Sequence, residues 1–245
     1  MRNIWTIATK ELRTYFTSPV ADAAFFVFLA IVGIVFTLQK TTPAGPYSPP
    51  PQADMQGLTG SMVFVLILLS PIVTMRLVAE ERSTGTLEVL MTSPVREYEV
   101  VLGKYLAAVI LYAVMMVLTF EFPLLLRIYG KPDLAPMIVS YVGWLMCGAT
   151  FLAVGVMTSS ITRSQIAAGL LALGILLVMW LIGIFGRGGT AGSVWADVFR
   201  QISIIDHLEE FERGTLALKS VAFFLSAIVF FLFASVRAVE SLKSR

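Results

Sequence analysis

Six long stretches without a single Asp, Glu, Lys or Arg constrain this chain more than any other feature. A helix needs about 20 mainly apolar residues to cross the hydrocarbon core of a bilayer. Backbone N–H and C=O groups find no water there, so spans of this kind are helices. We therefore predict an all-α polytopic membrane protein with six spans, rather than a soluble protein with a large apolar core. The stretches are Ala23–Gln39, Met55–Met75, Tyr105–Phe120, Leu134–Thr162, Ser164–Gly186 and Ser220–Val236.

The composition supports this prediction and excludes several classes of function. Charged residues make up 14% of the 245 residues, against about 25% in ordinary soluble domains. The formal net charge of +2 argues against a nucleic-acid-binding protein, and we expect no nucleic-acid partner. The single cysteine allows no disulfide within the chain, and the single histidine allows no His-rich metal site. We predict that the chain binds no metal.

Catalytic motifs are also missing from the sequence. No G-x-x-x-x-G-K-[ST] motif is present, so the chain should bind no ATP itself. An intramembrane protease or lipid transferase would need a nucleophile with a base, or two carboxylates, at membrane depth. The sequence offers neither arrangement. We predict a non-catalytic protein without a cofactor of its own.

Prolines, glycines and charges divide residues 1–245 into segments of one transmembrane domain. Residues 1–17 lack the features of a signal peptide and have apolar positions at helical spacing, which predicts an amphipathic helix on the membrane surface. A cytoplasmic loop is predicted at 80–97, and 186–215 is predicted to be external or re-entrant. The spans are predicted at 20–39, 58–79, 99–126, 136–159, 166–185 and 216–236.

Small residues in two spans predict close contacts between helices. Span 4 contains Gly143, Gly148 and Gly155, and span 5 contains Gly169 and Gly174. The sequence leaves open whether these contacts lie within one chain or between two chains.

The distribution of positive charge predicts the orientation. An even number of spans places both termini on one side of the membrane. With both termini inside, 11 of the 18 Lys and Arg residues fall on the inner side and seven on the outer side. Because Lys and Arg are enriched in cytoplasmic loops, we predict that both termini are cytoplasmic.

The loop after the second span is unusually rich in charge. Eight charged residues lie among the 24 residues of 76–99. Within this loop we predict a short helix over 86–92, on which Leu87, Leu90 and Met91 would share one face. An exposed apolar stripe of this kind indicates a partner protein.

Four segments of the sequence resemble a known family. Glu80–Leu90, followed by Thr92–Pro94, resembles the cytoplasmic motif of type-2 ABC transporter permeases, the ABC-2 family. Lys10–Pro19, Ser159–Gln165 and His207–Gly214 are similar to the gliding-motility and nitrous-oxide-reductase-maturation branch of that family. The resemblance covers nearly the whole chain in order.

The resemblance implies a permease subunit in which an amphipathic elbow helix precedes six spans. In that family two permease chains act with two P-loop ABC ATPase subunits, which bind ATP and Mg²⁺, and a coupling helix after span 2 docks on the ATPase. It also implies a bacterial-type cytoplasmic (inner) membrane, and it favours export while the direction of transport stays open. Carried onto this chain, the candidate ATPase contacts are Glu80, Glu81, Arg82, Gly85, Thr86, Leu87, Glu88 and Leu90, with Thr162 and Arg163 as secondary inner-loop contacts.

Several points stay open at this level. The cargo is not identified, and a homodimer and a heterodimer with a related permease both fit; an extracytoplasmic protein is an open further partner. We interpret Glu121 as reaching the membrane interface or pairing with Arg127, and the acidic cluster His207–Glu212 as too poor in His and Cys for a metal site. The alternative function is an ATPase-independent membrane channel or assembly scaffold.

Overall fold

In the computed structural model the structure describes residues 2–41, 58–86, 95–129, 134–188 and 194–243. Within these ranges the backbone forms eleven helices and no strand, which confirms the all-α class. The helices are α1 (Arg2–Phe16), α2 (Pro19–Thr41), α3 (Leu58–Thr74), α4 (Ala79–Ser83), α5 (Glu97–Leu118), α6 (Glu121–Tyr129), α7 (Leu134–Ile161), α8 (Gln165–Gly188), α9 (Val194–Ile202), α10 (Ile204–Glu212) and α11 (Leu218–Lys243).

Six regions are long and apolar enough to cross a membrane, as the charge-free stretches predicted. These regions are α2, α3 with α4, α5 with α6, α7, α8 and α11. Burial separates them into two groups. In the α3–α4, α5–α6 and α7 regions, 72%, 56% and 67% of the residues are buried within the chain. In α2, α8 and α11 the shares are 22%, 22% and 17%, so these three helices form the periphery.

Helix α7 is the centre of the bundle and packs against α3, α5, α8, α10 and α11. Two of its glycines allow this close approach. A Cβ added at Gly148 would overlap the Tyr112 ring of α5, and one at Gly155 would overlap Thr74 of α3. These two glycines therefore serve packing within one chain. By contrast, no atom lies within 4 Å of a Cβ added at Gly174 in α8.

The region predicted as a single third span over 99–126 is interrupted. Helix α5 ends at Leu118, and α6 begins at Glu121. Pro123 has no N–H to donate to the carbonyl of Thr119 one turn earlier, and the Tyr141 hydroxyl of α7 donates to that carbonyl at 2.9 Å. The Phe122 amide also donates to this carbonyl at 3.1 Å, so a local turn before Pro123 and a side chain of α7 both contribute to the break. Glu121 lies in the first turn of α6, where the helix dipole favours a carboxylate.

The bundle has two ends that carry most of the polar side chains. The α1 end comprises α1, the segment 75–86, the start of α5 and the end of α7. The α10 end comprises α6, the first half of α7, the end of α8, α9, α10 and the start of α11.

Candidate functional site

Helix α1 lies against the start of α5 at the α1 end. A Cβ added at Gly103 would come within 2.8 Å of the Ile7 Cβ and 3.0 Å of the Ile4 backbone oxygen, so only a glycine fits this contact without a shift. A hydrogen bond holds the same pair of helices, because Asn3 Nδ2 donates to Glu99 Oε2 at 3.0 Å. Residues 2–16 are thus a packed helix of the bundle.

A buried lysine connects three separate elements at this end. The Lys104 side chain in α5 is 1% exposed, and its Nζ lies 2.8 Å from Glu11 Oε1 of α1 and 2.9 Å from Glu81 Oε1 of α4. A buried ammonium is costly unless it is paired and hydrogen-bonded. The three side chains, named here the Lys104 cluster, therefore hold α1, α4 and α5 together.

Tyr15 provides a second link between α1 and the end of α3. Its hydroxyl donates to the backbone oxygen of Val73 at 2.8 Å, and the Arg76 guanidinium lies 5.6 Å from the centre of its ring. Burial raises the pKa of the Tyr15 phenol, the Glu11 carboxylate raises it further, and Arg76 opposes this. The phenol therefore stays protonated and keeps donating to the Val73 carbonyl.

Ser159 near the end of α7 fixes the turn that separates α3 from α4. Its Oγ accepts from the amides of Val78 and Ala79, both at 3.0 Å, and its hydroxyl donates to the backbone oxygen of Met75 at 3.1 Å. These bonds satisfy amides at the start of α4 that have no partner within the helix. The predicted second span over 58–79 is accordingly not one helix, since α3 ends at Thr74.

Arg82 connects α4 to the last turn of α7. Its Nη1 donates to the backbone oxygens of Ser160 at 3.0 Å and Ile161 at 2.7 Å. Carbonyls in the last turn of a helix have no intrahelical partner, so the guanidinium caps α7. Ser160 Oγ in turn lies 2.7 Å from Ser235 Oγ of α11. The segment 75–86 is therefore fixed to α1, α5 and α7, and through α7 to α11.

An open cleft of about 500 Å³ lies between α1 and the segment 76–86. Its charged lining is balanced, with three cations and three carboxylates. These six side chains therefore give the lining no net formal charge. The charged residues are Lys10, Arg76, Lys104, Glu11, Glu80 and Glu81.

The predicted site residues of the first loop divide into an anchored and an exposed group. Glu81 and Arg82 form the anchoring contacts described above. Glu80 and Thr86 are exposed and line the cleft, and Gly85 is exposed with a φ of 74°, a conformation that favours glycine. The predicted helix over 86–92, with Leu87, Glu88 and Leu90, lies outside the described residues apart from Thr86.

The predicted secondary contacts lie in the turn between α7 and α8. Thr162 Oγ1 donates to the backbone oxygen of Thr158 at 3.0 Å, and its amide donates to the same oxygen at 3.3 Å. Arg163 is exposed. Because Arg82 holds the carbonyls just before this turn, the structure brings Thr162 and Arg163 close to the first-loop residues.

Sequence reasoning missed the partners that hold Glu81 and the turn after α3. Lys104 is the last charge before the apolar stretch Tyr105–Phe120, and that isolation was a usable signal, because a lysine at such a position needs a carboxylate or the interface. Ser159 gave no signal, since a hydroxyl in an apolar helix usually bonds within its own helix.

At the α10 end Arg187 forms the main ion pairs. Its Nη2 lies 2.9 Å from Asp206 Oδ1 and 2.6 Å from Glu209 Oε1. Among the residues that the structure describes, no three His, Cys, Asp or Glu side chains are grouped so that they could hold a metal ion. Arg187 thus pairs with Glu209 of the acidic cluster and with the neighbouring Asp206.

Comparison with protein-family models identifies the family of the chain. A family model described as ABC-2 family transporter protein matches residues 5–226. This range includes most of α1, all six candidate spans at least in part, and every candidate site residue. No curated protein matches the chain.

Proposed function

Because the chain belongs to the ABC-2 family of transporter proteins and is a membrane subunit of an ABC transporter, we propose that it is the permease that forms the translocation pathway. In this proposal the chain hydrolyses no ATP. A separate P-loop ABC ATPase binds ATP and Mg²⁺ and docks on the helix predicted over 86–92. The direction of transport is export.

The anchoring of the segment 75–86 is the observation that carries this proposal. A coupling loop transmits movement only when it is fixed rigidly to the spans that it moves. Lys104 and Glu81 tie this segment to α1 and α5, and Ser159 and Arg82 tie it to α7. A force applied at residue 87 would therefore reach three helices at once, as a rigid-body coupling of the hinge type requires.

The proposed orientation places the α1 end in the cytoplasm, where the ATPase is. Both termini are then cytoplasmic, and the membrane is the inner membrane of a bacterial-type cell. The excess of Lys and Arg on this side supports the orientation. The α10 end faces outward, where an extracytoplasmic partner protein would have access to it.

The burial pattern supports a pathway between two permease chains. The cavity enclosed by α3, α5 and α7, lined by residues such as Ser70 and Tyr112, has a volume of only about 10 Å³, close to the limit for one water molecule. In contrast, only 22%, 22% and 17% of the residues of α2, α8 and α11 are buried within the chain. A second permease, either the same chain or a relative, would complete the pathway against these helices.

Recovery of the partner from native membranes in mild detergent tests the proposal. We expect a P-loop ATPase to copurify with the wild-type chain and with Leu87→Met, and to be lost with Leu87→Asp, because a carboxylate would enter an apolar contact. Each variant must be recovered intact from the membrane fraction. If the intact wild-type chain is recovered without any ATPase, and if it functions when no ATPase is present, the ATPase-independent channel or scaffold is indicated instead.

A further inference from the structure

Helix α1 presents three different faces, because successive side chains of a helix point about 100° apart. The face against the bundle contains Ala8 and Tyr15, which are 0% and 4% exposed. A second face carries Trp5 and Phe16, which are 58% and 52% exposed. The third face is polar and bears an open groove of about 510 Å³. This groove, named here the α1 groove, is lined by Thr6, Thr9, Lys10, Arg13, Thr14 and Thr17.

The α1 groove is positively charged, in contrast to the neighbouring cleft between α1 and the segment 76–86. Two cations and no carboxylate line the groove, whereas the cleft has three of each. Lys10 lies between the groove and the cleft and lines both. Among the ion pairs of the described residues, none includes Lys10, Arg13 or the exposed Asp22 in the first turn of α2. The groove therefore suits an anion.

The threonines of the α1 groove leave recognition of an anion to the two cations. Each threonine hydroxyl donates to the backbone oxygen four residues earlier in α1, and a hydroxyl has only one proton to donate. The donors that remain for a ligand are the Lys10 ammonium and the Arg13 guanidinium, and both groups bind phosphate oxygens. The hydroxyl bonds are 2.9 Å long for Thr6, Thr9 and Thr17 and 3.1 Å long for Thr14.

The connection between α1 and the first span indicates the depth of the groove in the membrane. Helix α1 ends at Phe16, and the candidate span Ala21–Leu38 begins five residues later. The Phe16 ring stacks on the Phe25 ring inside this span, with 6.2 Å between the ring centres. Arg13 precedes Phe16 by one turn and therefore lies close to the headgroup layer, which is about 5–8 Å thick. Exposed aromatic rings beside cations are typical of helices at this level.

We propose that the α1 groove binds the headgroup of an anionic phospholipid, with the phosphate at Lys10 and Arg13 and the acyl chains along the face of Phe16. A zwitterionic headgroup carries its own cation, which the two side chains would repel. A dissolved phosphate would gain nothing from the exposed aromatic face, so the lipid is the occupant that fits both faces. The lipid would contact the helix that supplies Glu11 to the Lys104 cluster. The inference rests on the membrane setting of α1 and not on the proposed transport function.

Photocrosslinking to lipid tests the proposal. The full chain carries p-benzoylphenylalanine in place of Phe16 and is reconstituted in nanodiscs of equal parts phosphatidylglycerol and phosphatidylcholine. A second sample carries the probe in place of Phe26, which is 75% exposed in α2 and lies one turn after Asp22. We expect the ratio of crosslinked phosphatidylglycerol to phosphatidylcholine to be about fivefold higher at position 16, the scale of one cation at an anionic lipid surface. Equal ratios at the two positions would overturn the proposal.

Variants made in the chain with the probe at position 16 test the two cations. Lys10→Gln combined with Arg13→Gln should lower the ratio to the value at position 26, and Arg13→Lys should keep it high because the charge is retained. Both residues are exposed, so neither change disturbs the contact of α1 with α5. The matched control is Arg237→Gln, which removes a 66% exposed cation from α11 and should leave the ratio unchanged. A ratio that stays high in the double variant, or falls equally in Arg237→Gln, would overturn the assignment to the α1 groove.

Two salts at equal ionic strength distinguish a lipid headgroup from a dissolved anion. Sodium chloride and sodium phosphate screen exposed charges alike, so we expect both to lower the ratio at position 16 by the same amount. If phosphate lowers the ratio much further than chloride does, the groove binds dissolved phosphate, and the assignment to a lipid is overturned.

Discussion

The two ends of the bundle each hold one cation between two carboxylates, but in very different surroundings. At the α1 end, the Lys104 side chain is 1% exposed, and its partners Glu11 and Glu81 are 14% and 19% exposed. At the α10 end, the Arg187 side chain is 41% exposed, and Asp206 and Glu209 are 29% and 33% exposed. The two clusters contain the same kinds of charged group and differ in their exposure to water.

This difference in exposure indicates which of the two clusters can transmit a force. Exposed ion pairs contribute little, because water and salt screen them. A buried pair adds little net stability compared with apolar residues, but it is costly to break once formed. The Lys104 cluster therefore keeps α1, α4 and α5 in one arrangement, which suits a coupling site. The Arg187 cluster can rearrange at low cost.

The largest effect is expected from Lys104→Met. The substitution leaves two carboxylates with no cation between them, and removing one partner of a buried pair costs about 3–5 kcal/mol. The buried Cys147 is the only cysteine of the chain, so the rate at which a thiol-reactive dye labels it reports unfolding in detergent. We expect the midpoint of thermal unfolding to fall by more than for any variant below.

A combined variant decides whether charge or packing explains that loss. Lys104→Met with Glu11→Gln and Glu81→Gln removes all three charges and keeps similar volumes. Much of the lost stability should return, because no uncompensated charge remains. If the combined variant is as unstable as Lys104→Met alone, packing of the lysine stem explains the effect and the comparison of the two ends fails.

Ser159→Ala should give the next largest effect. It removes the acceptor of two amides in the buried turn between α3 and α4, and an unsatisfied buried group costs about 1–3 kcal/mol. The matched variant is Ser203→Ala at the α10 end, where the hydroxyl caps one helix by accepting from Asp206 N at 3.2 Å. Loss of such a cap costs about 1 kcal/mol. Equal shifts in the unfolding midpoint would contradict the assigned role of Ser159.

Glycine substitutions test whether the two ends differ in packing as well as in charge. A Cβ added at Gly103 would lie 2.8 Å from the Ile7 Cβ, and one added at Gly143 would lie 2.7 Å from the Phe211 Cβ. Overpacking of this kind costs about 1–3 kcal/mol. We expect Gly103→Ala and Gly143→Ala to lower the unfolding midpoint by similar amounts. A large difference would mean that packing, and not only charge, distinguishes the ends.

How much of the fold and of the candidate site could be predicted depends on whether the cause of each feature lies close to it in the sequence. The charge-free stretches predicted six spans because the bilayer acts on every residue of a span alike. The break after Leu118 has a local signal in Pro123, but the contact with the Tyr141 hydroxyl of α7 is a property of the packed bundle. The motif that contains Glu81 was visible in the sequence, but Lys104 is 23 residues away and its choice of partner is a property of the packed bundle. The apolar contact at Leu87 stays a prediction.

The smallest effect is expected from Arg187→Met, which removes the cation of the exposed cluster. Exposed ion pairs contribute about 0–1 kcal/mol, and here Asp206 and Glu209 stay accessible to water when the arginine is gone. The unfolding midpoint should fall slightly at low salt and should hardly differ from wild type near 1 M salt, where the Debye length is about 3 Å. The loss caused by Lys104→Met should largely persist in the same salt, because the Lys104 side chain is 1% exposed and salt screens buried charges much less than exposed ones. A salt-independent loss in Arg187→Met would mean that salt screens neither cluster. Exposure to water would then not distinguish the two ends of the bundle.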